Sequence, residues 1–512
     1  MQSTLRFIDI EQLEADIQPA TGDAAWCAQT DIVDQFLDNK DDYWALRIWL
    51  EKEGDFCWST CNRQSIRLLL LRSIKGIDAK INEQLNCILH DDCFQKLEAS
   101  WRGLVYLTDQ VEEFDSELVC KIKLLNLTWK ELSRDMGRAI EFDQSDLFRL
   151  VYNNEFNMPG GEPFGLLIGD YQVSHKPKAG IPTNDIDTLM GISNTAAAAF
   201  APFVTAAEPA LFGVDNYTEL ASVSDIQSQF SQPEYNNWRS LRKMEDARFL
   251  GLVMPHILMR EPYEQDGSRK EEFYFKENII DPQTEHLWGN AAYGFASVVL
   301  KAFSESGWFS QIRGLQPGRY NRGLVFNLPS ASFNLTRRLR QSKPSVDLQV
   351  GDRLEKQLSD CGFIPISPLP HTEHLVFFSN ASVNLPKHYE SLGAQVNARL
   401  SSMLQYILCA SRFAHYIKVM GRDKVGMYAT AESIETEFQR WLFNYTTASD
   451  EASDEVRSRY PLNEARIQVK EKSGRPGHYY SIIHLRPHFQ LDQMVSSIRL
   501  ITELAPNQSN TG

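Results

Sequence analysis

Between residues 386 and 485 the spacing of apolar residues changes from three and four to two. Leu392, Val396, Leu400, Leu404, Ile407, Ala410, Phe413 and Ile417 fall on one face of a helix predicted over 386–419. Ala465-Arg466-Ile467-Gln468-Val469-Lys470-Glu471 then alternates, as does Tyr479-Tyr480-Ser481-Ile482-Ile483-His484-Leu485. The turn sequence Ser473-Gly474-Arg475-Pro476-Gly477 separates them, so the pair reads as a β-hairpin. A chain carrying both periods must bury a helix stripe and a strand face together, and the expected fold class is α/β with mixed sheets. A last amphipathic helix is predicted over 489–504, with Leu491, Met494, Val495, Ile498 and Ile501 on its apolar side.

Upstream, residues 1 to about 90 read as helical and irregular. Tyr43, Trp44, Leu46, Ile48, Trp49 and Leu50 crowd one short stretch. Ile66, Leu69, Leu70, Ile74, Ile77, Ile81 and Leu85 step by three and four over 62–88. Strands are predicted at Val105-Tyr106-Leu107, 118–125, Phe164 to Gly169, 248–254 and 272–275. Helices are predicted at 129–139, 142–153, 183–201 and 288–306, the second starting on the capping run Asp143 to Asp146. The Gly-, Arg- and Pro-rich stretch 314–350 reads as an irregular excursion at the surface or between domains. The expected division is 1–90, 91–345 and 346–512, the last two each with a core of its own.

Composition removes several classes of function. Lys and Arg number 52 and Asp and Glu 67, a net charge of −15, which disfavours coating nucleic acid or an anionic membrane. Apolar runs such as Leu68 to Leu71 are too short to span a bilayer, and Met1 to Arg6 does not read as a signal peptide. Eight cysteines in 512 residues suit a reducing, cytoplasmic compartment.

Catalytic patterns are incomplete. Pro159 to Gly165 is glycine-rich but lacks the Lys-Ser/Thr ending of a phosphate loop. His371, Glu373 and His374, and His484 with His488, lack the helical i, i+4 face of a metal site; Cys57 and Cys61 have no second pair nearby. Gly191-Ile192-Ser193-Asn194-Thr195 lacks the last glycine of a nucleophile elbow. Glu141, Asp143 and Asp146 suit a helix start better than acid–base work. No catalytic residue, cofactor or metal is therefore expected. Rings beside arginine, Trp101-Arg102 and Trp238-Arg239, read either as core anchors or as interface anchors.

Several short stretches occur in a fixed order: Leu97 to Leu104, Lys121 to Asn126, Glu141 to Ser145, Gly160 to Gly165 with Ile168-Gly169-Asp170-Tyr171, and Trp288-Gly289-Asn290-Ala291-Ala292-Tyr293. Gly362 to Pro365, Ser411 to Tyr416 and Leu485 to Leu491 follow. Through these the chain resembles the large subunit of the type VI secretion contractile sheath, the TssC/VipB family, over roughly 80% of its length. The resemblance implies a phage tail-sheath-like, multi-domain body with a helical N-terminal segment and extended linking arms. It implies a structural protein, not an enzyme, that pairs with a small sheath subunit (TssB/VipA-like) and polymerises with its own copies around the Hcp inner tube. Baseplate components and the ClpV ATPase are implied as further partners, and nucleic acid and membrane insertion are not.

Three sets of contact residues are expected. Trp44, Ile48, Trp49, Leu69 and Leu70 are the candidates for the small subunit. Ile467, Val469, Tyr480, Ile482 and Leu485 are those for strand pairing between subunits, with an edge of the hairpin left open. Asp492 and Glu503 are those for the inner tube. The alternatives are a soluble acidic α/β enzyme, from the residues alone, and a single-component phage-like tail sheath, within the resemblance.

Overall fold

In a computed structural model of the chain, the described residues are 34–52, 63–115 and 120–488, apart from 159, 177–183, 265–272, 274, 310, 316–322, 331, 337–338, 371, 425–430, 448, 450–452 and 472–478. The chain divides into two units, 1–83 and 84–512. The first carries α1 (Asp42–Lys52) and most of α2 (Arg63–Leu89).

The second unit is built on a six-stranded sheet. Its strands are β1 (Leu167–Val173), β2 (Phe203–Ala207), β3 (Leu250–Met254), β4 (Leu324–Val325), β5 (Ile364–Pro368) and β6 (Leu375–Phe377), in the order β1-β2-β3-β5-β6-β4. The pairings β1–β2, β2–β3 and β3–β5 are parallel; β5–β6 and β6–β4 are antiparallel. The inner parallel strands are covered on both faces and are therefore largely apolar. β2 and β3 are buried at every position.

Alternate residues serve opposite faces. Val204, Ala206 and Val253 join a core beneath α3 (Asp92–Phe114) and α6 (Ala292–Ser306). Phe203, Ala207, Leu250, Leu252 and Met254 join the core of α5 (Asp185–Ala199) on the other face. Each buried Leu or Val side chain stabilises the fold by about 1.5–3 kcal/mol. The boundary expected at 345/346 falls within this sheet, since β5 and β6 come from beyond it.

A third core lies further along the chain. α8 (Leu404–Lys424) and α9 (Ala431–Phe443) pack against the hairpin of β7 (Leu462–Glu471) and β8 (Tyr479–Pro487). Trp308 stacks on Phe413 there, with ring centroids 4.1 Å apart. The hairpin stands as expected, in register from Ala465↔Leu485 to Glu471↔Tyr479. α4 (Trp129–Arg138) also agrees and starts on a capping box between Thr128 and Glu131. The 142–153 region is helical too, but Ser145 supplies the cap, its Oγ accepting from the Phe148 N–H at 3.1 Å.

Several expectations are corrected. Val105-Tyr106-Leu107 is helix, inside α3. Three residues of strand-like composition lose to a 3.6-residue period that buries Ala99, Gly103, Tyr106, Leu107 and Gln110. Residues 120–128 alternate as a strand does but pair with no other strand among the described residues, and Ile122, Leu124 and Leu125 are exposed.

The helix expected over 386–419 is two, α7 (Leu392–Ser401) and α8. Between them the Ser382 N–H donates to the Ser402 carbonyl at 3.0 Å and the Leu404 N–H to Asn380 at 2.8 Å, replacing the helical ladder. The helix expected from 288 begins at Ala292, because Trp288–Gly289 pairs with Ile257–Leu258. The 314–350 excursion is not wholly peripheral: Leu324 and Val325 are buried in the central sheet. Residues 332–336 and 339–342 form a small hairpin. Of the strand expected at 272–275, residues 272 and 274 lie outside the described residues, and 273 and 275 are not in a strand.

Candidate assembly surfaces

Three of the stretches that carried the family resemblance, Leu97 to Leu104, Ile168 to Tyr171 and Trp288 to Tyr293, meet in one place. The Ser100 hydroxyl of α3 donates to Asp170 Oδ2 of β1 at 2.5 Å, and the Tyr293 hydroxyl of α6 donates to the Ser100 carbonyl at 3.4 Å. Asn290 Nδ2 donates to the carbonyls of Gly169 (3.1 Å) and Tyr171 (3.3 Å), while its Oδ1 accepts from the Ala292 N–H. Gly103 lies so close under the Tyr293 ring that a Cβ there would overlap it. These residues knit α3, β1 and α6 together.

A buried ion network fixes the start of α3. Arg260 holds Glu277 through both guanidinium nitrogens (2.5 and 3.0 Å) and reaches Glu98 at 3.0 Å. Burial pushes the Glu277 carboxyl up, but Arg260, the Tyr263 N–H and His90 outweigh it, and the group titrates below the usual carboxylate range. His415 is buried in the interior, its Nε2 within 3.0 Å of the Ala199 carbonyl. Burial, the largest cause, holds its pKa down at about 4, so the ring stays neutral at ordinary pH.

The N-terminal unit differs from this closed interior. α2 is 27 residues long and has no buried residue. Ile74, Ile81 and Ile88 recur every seven residues and are all exposed, with Ile77 exposed between the first two and Leu70 half-buried four residues before Ile74. That seven-residue recurrence is the apolar spacing found on the seam of a coiled coil. Of the expected anchors, Trp44 is 48% exposed and Ile48 and Trp49 are half-buried, with the Trp49 ring 5.2 Å from Phe36. Leu69 and Leu70 are half-buried, whereas Leu68 and Leu71 stand further out.

The C-terminal hairpin is closed on one edge. Gln439 of α9 donates to the Ala465 carbonyl (2.9 Å) and accepts from the Ile467 N–H (3.0 Å); Glu435 accepts from the Val469 N–H (2.9 Å). The backbone groups of 465, 467 and 469 therefore point away from β8. By the register, those of Ser481, Ile483 and Leu485 point away from β7. Among the described residues these outward N–H groups form no hydrogen bond, so β8 is the open edge. Ile467 and Val469 are buried, with Leu485 packed against the same core. Tyr480 and Ile482 occupy the alternate register positions, and Ile482 is exposed. Sequence alternation found the hairpin; the donor and acceptor on α9 that select its free edge leave no periodic signal. Asp492, Glu503 and the helix expected over 489–504 lie outside the described residues.

The chain matches the EvpB/VC_A0108 tail sheath N-terminal domain over residues 72–384. It is 36% identical over 435 residues to the type VI secretion system sheath protein TssC1 of Pseudomonas aeruginosa, covering 84% of this chain and 85% of that one. The chain belongs to the TssC/VipB family of type VI secretion sheath proteins. In this TssC/VipB chain the EvpB/VC_A0108 tail sheath gpW/gp25-like domain spans residues 393–504, so α8, α9 and the hairpin lie within it. A solved contractile sheath, that of the extracellular contractile injection system PVC in its contracted state, aligns with a TM-score of 0.31 and 10% identity, over 61% of this chain and 69% of that one. Among the described residues no helix is long and apolar enough to cross a membrane.

Proposed function

We propose that this chain is the large structural subunit of a type VI secretion contractile sheath, working in the bacterial cytoplasm without catalysis of its own. The single observation that carries the reading is the 36% identity to TssC1 across 84% of the chain. The two open surfaces support it. The exposed face of α2, which includes Leu69 and Leu70, pairs with the small sheath subunit together with Trp44, Ile48 and Trp49 of α1, because a heptad face of Ile and Leu is completed by a second helix. The free edge of β8 takes a strand from a neighbouring subunit. Main-chain pairing of this kind tolerates rotation of what lies beyond the linker, as contraction requires.

In this reading the assembled sheath surrounds the Hcp tube, with Asp492 and Glu503 as its contacts, each worth about 0–1 kcal/mol and effective by repetition. It is seated on baseplate components and dismantled by the ClpV ATPase. Expression with and without the small subunit tests the proposal. Long tubes in electron micrographs only when both chains are present are the expected result. A small closed oligomer that ignores the partner contradicts it, and tubes from this chain alone would favour a one-component sheath.

A further inference from the structure

A cleft of about 390 Å³ opens where the parallel strands end, the usual place for a recognition site in such sheets. Gln172 reaches it from β1, Glu208 follows β2 and His256 follows β3. Its charge is one-sided: Asp92, Glu208, Asp215 and Asp347 line it, against the ammonium of Lys96. His286 adds no positive charge, since burial and then Lys343 hold its pKa below the usual histidine value.

The geometry leaves one acceptor waiting. Gln172 Nε2 lies 2.9 Å from His256 Nε2, and His256 Nδ1 lies 2.9 Å from Asp347 Oδ2. With the amide donating to Nε2, the ring's Nδ1–H is directed at Asp347. The second oxygen, Asp347 Oδ1, is buried without a hydrogen-bond partner among the described residues. Trp288 supplies an aromatic wall, stacked on His286 at 5.7 Å. A buried carboxylate oxygen, further carboxylates and a tryptophan face together suit a guanidinium, which is planar, weakly hydrated and able to stack while it donates.

The chain itself carries such a group in excess. Residues 319–343 hold Arg319, Arg322, Arg337, Arg338, Arg340 and Lys343 and no acid, +6 within a chain of −15. Within this segment Ser332 pairs with Ser342 and Thr336 with Leu339 in a short antiparallel ladder. Its four residues 339–342 span about 13 Å beyond Lys343. We propose that the cleft of one copy takes an arginine side chain from the 319–343 segment of a second copy. Only the source of the guanidinium rests on the sheath reading; the cleft does not.

Two arms test this separately. In the first, a labelled peptide of residues 333–343 is titrated into the full-length chain. Saturable binding is expected, at least tenfold weaker with Asp347→Asn or Glu208→Gln, and at least tenfold weaker when the three peptide arginines are replaced by lysine. Equal binding by all variants and both peptides, or none by the parent, overturns the cleft as a guanidinium site. In the second arm, chains with Thr218→Cys on the cleft rim and chains with Thr336→Cys on the hairpin are mixed under conditions of assembly. A disulfide between the two populations, lost with Asp347→Asn, is expected. Peptide binding without that disulfide, or a disulfide formed only within a single doubly substituted chain, overturns the second copy as the source. If the unmodified chain builds no assembly with its partner, the sheath reading and this source fail together, while the peptide arm still decides the cleft.

Discussion

The α3–β1–α6 junction and the C-terminal hairpin treat their polar backbone in opposite ways. At the junction Asn290 closes the carbonyls of Gly169 and Tyr171, and Tyr293 closes that of Ser100. In the hairpin Gln439 and Glu435 close the β7 edge, and the outward N–H groups of β8 have no hydrogen-bond partner among the described residues. Both regions belong to one family pattern, yet the first closes its polar backbone within the chain and the second leaves outward groups unpaired among the described residues. An unfinished edge is a hazard for a lone protein and a connector for a polymer. Changes in the closed interior should therefore cost stability. Changes at the open surfaces should leave the subunit folded and cost assembly.

The largest expected loss is Glu277→Ala. It leaves Arg260 buried with Glu98 as its remaining carboxylate partner and should destabilise the subunit by about 3–5 kcal/mol in denaturant unfolding. An effect below 1 kcal/mol would show that the network is not part of the closed interior.

Acid should act next, through His415. Its folded pKa of about 4 lies below the ordinary 6.5, so its contribution is complete above pH 6.5 and lost as pH falls toward 4. The loss by pH 4 should be about 2–3 kcal/mol. Unfolding of the parent should steepen between pH 6.5 and 5, where few carboxylates titrate, and His415→Gln should flatten that slope. The same slope in both proteins would place the titration elsewhere.

The smallest effect on stability, with a large one on binding, belongs to α2. Ile74→Glu with Ile81→Glu should change unfolding of the chain by less than about 0.5 kcal/mol, as exposed substitutions do. It should weaken capture of the small subunit at least 100-fold in co-purification. Full-yield co-purification would remove the seam as the contact.

What the sequence disclosed follows from the range of the forces involved. The hairpin, β3, α4 and α5 were legible because one periodic face meets one core. Val105 to Leu107 misled because three residues do not define a period. The break at Ser402–Met403 was hidden because its cause, backbone pairing with Asn380 to Ser382, lies about twenty residues away in the chain. Leu324 and Val325 look like loop from their Gly- and Arg-rich neighbours and become strand only through β6. For the assembly surfaces, the apolar face carrying Ile74 and Ile81 was legible in the stepping of α2, whereas its exposure was not. The choice of β8 over β7 depended on Gln439 and Glu435, which no strand pattern records.

The choice of edge also supplies the most direct test of the account. Ser481→Pro removes an outward N–H of β8 and leaves the β7–β8 ladder donors in place, whereas Gln468→Pro removes an inward one. Each is co-expressed with the small subunit, and the products are sized and viewed by electron microscopy. Ser481→Pro should give a folded chain bound to the small subunit that forms no tubes, with Gln468→Pro disturbing the hairpin itself. Tubes of normal length and number from Ser481→Pro would contradict the claim that β8 is the edge through which these subunits are joined.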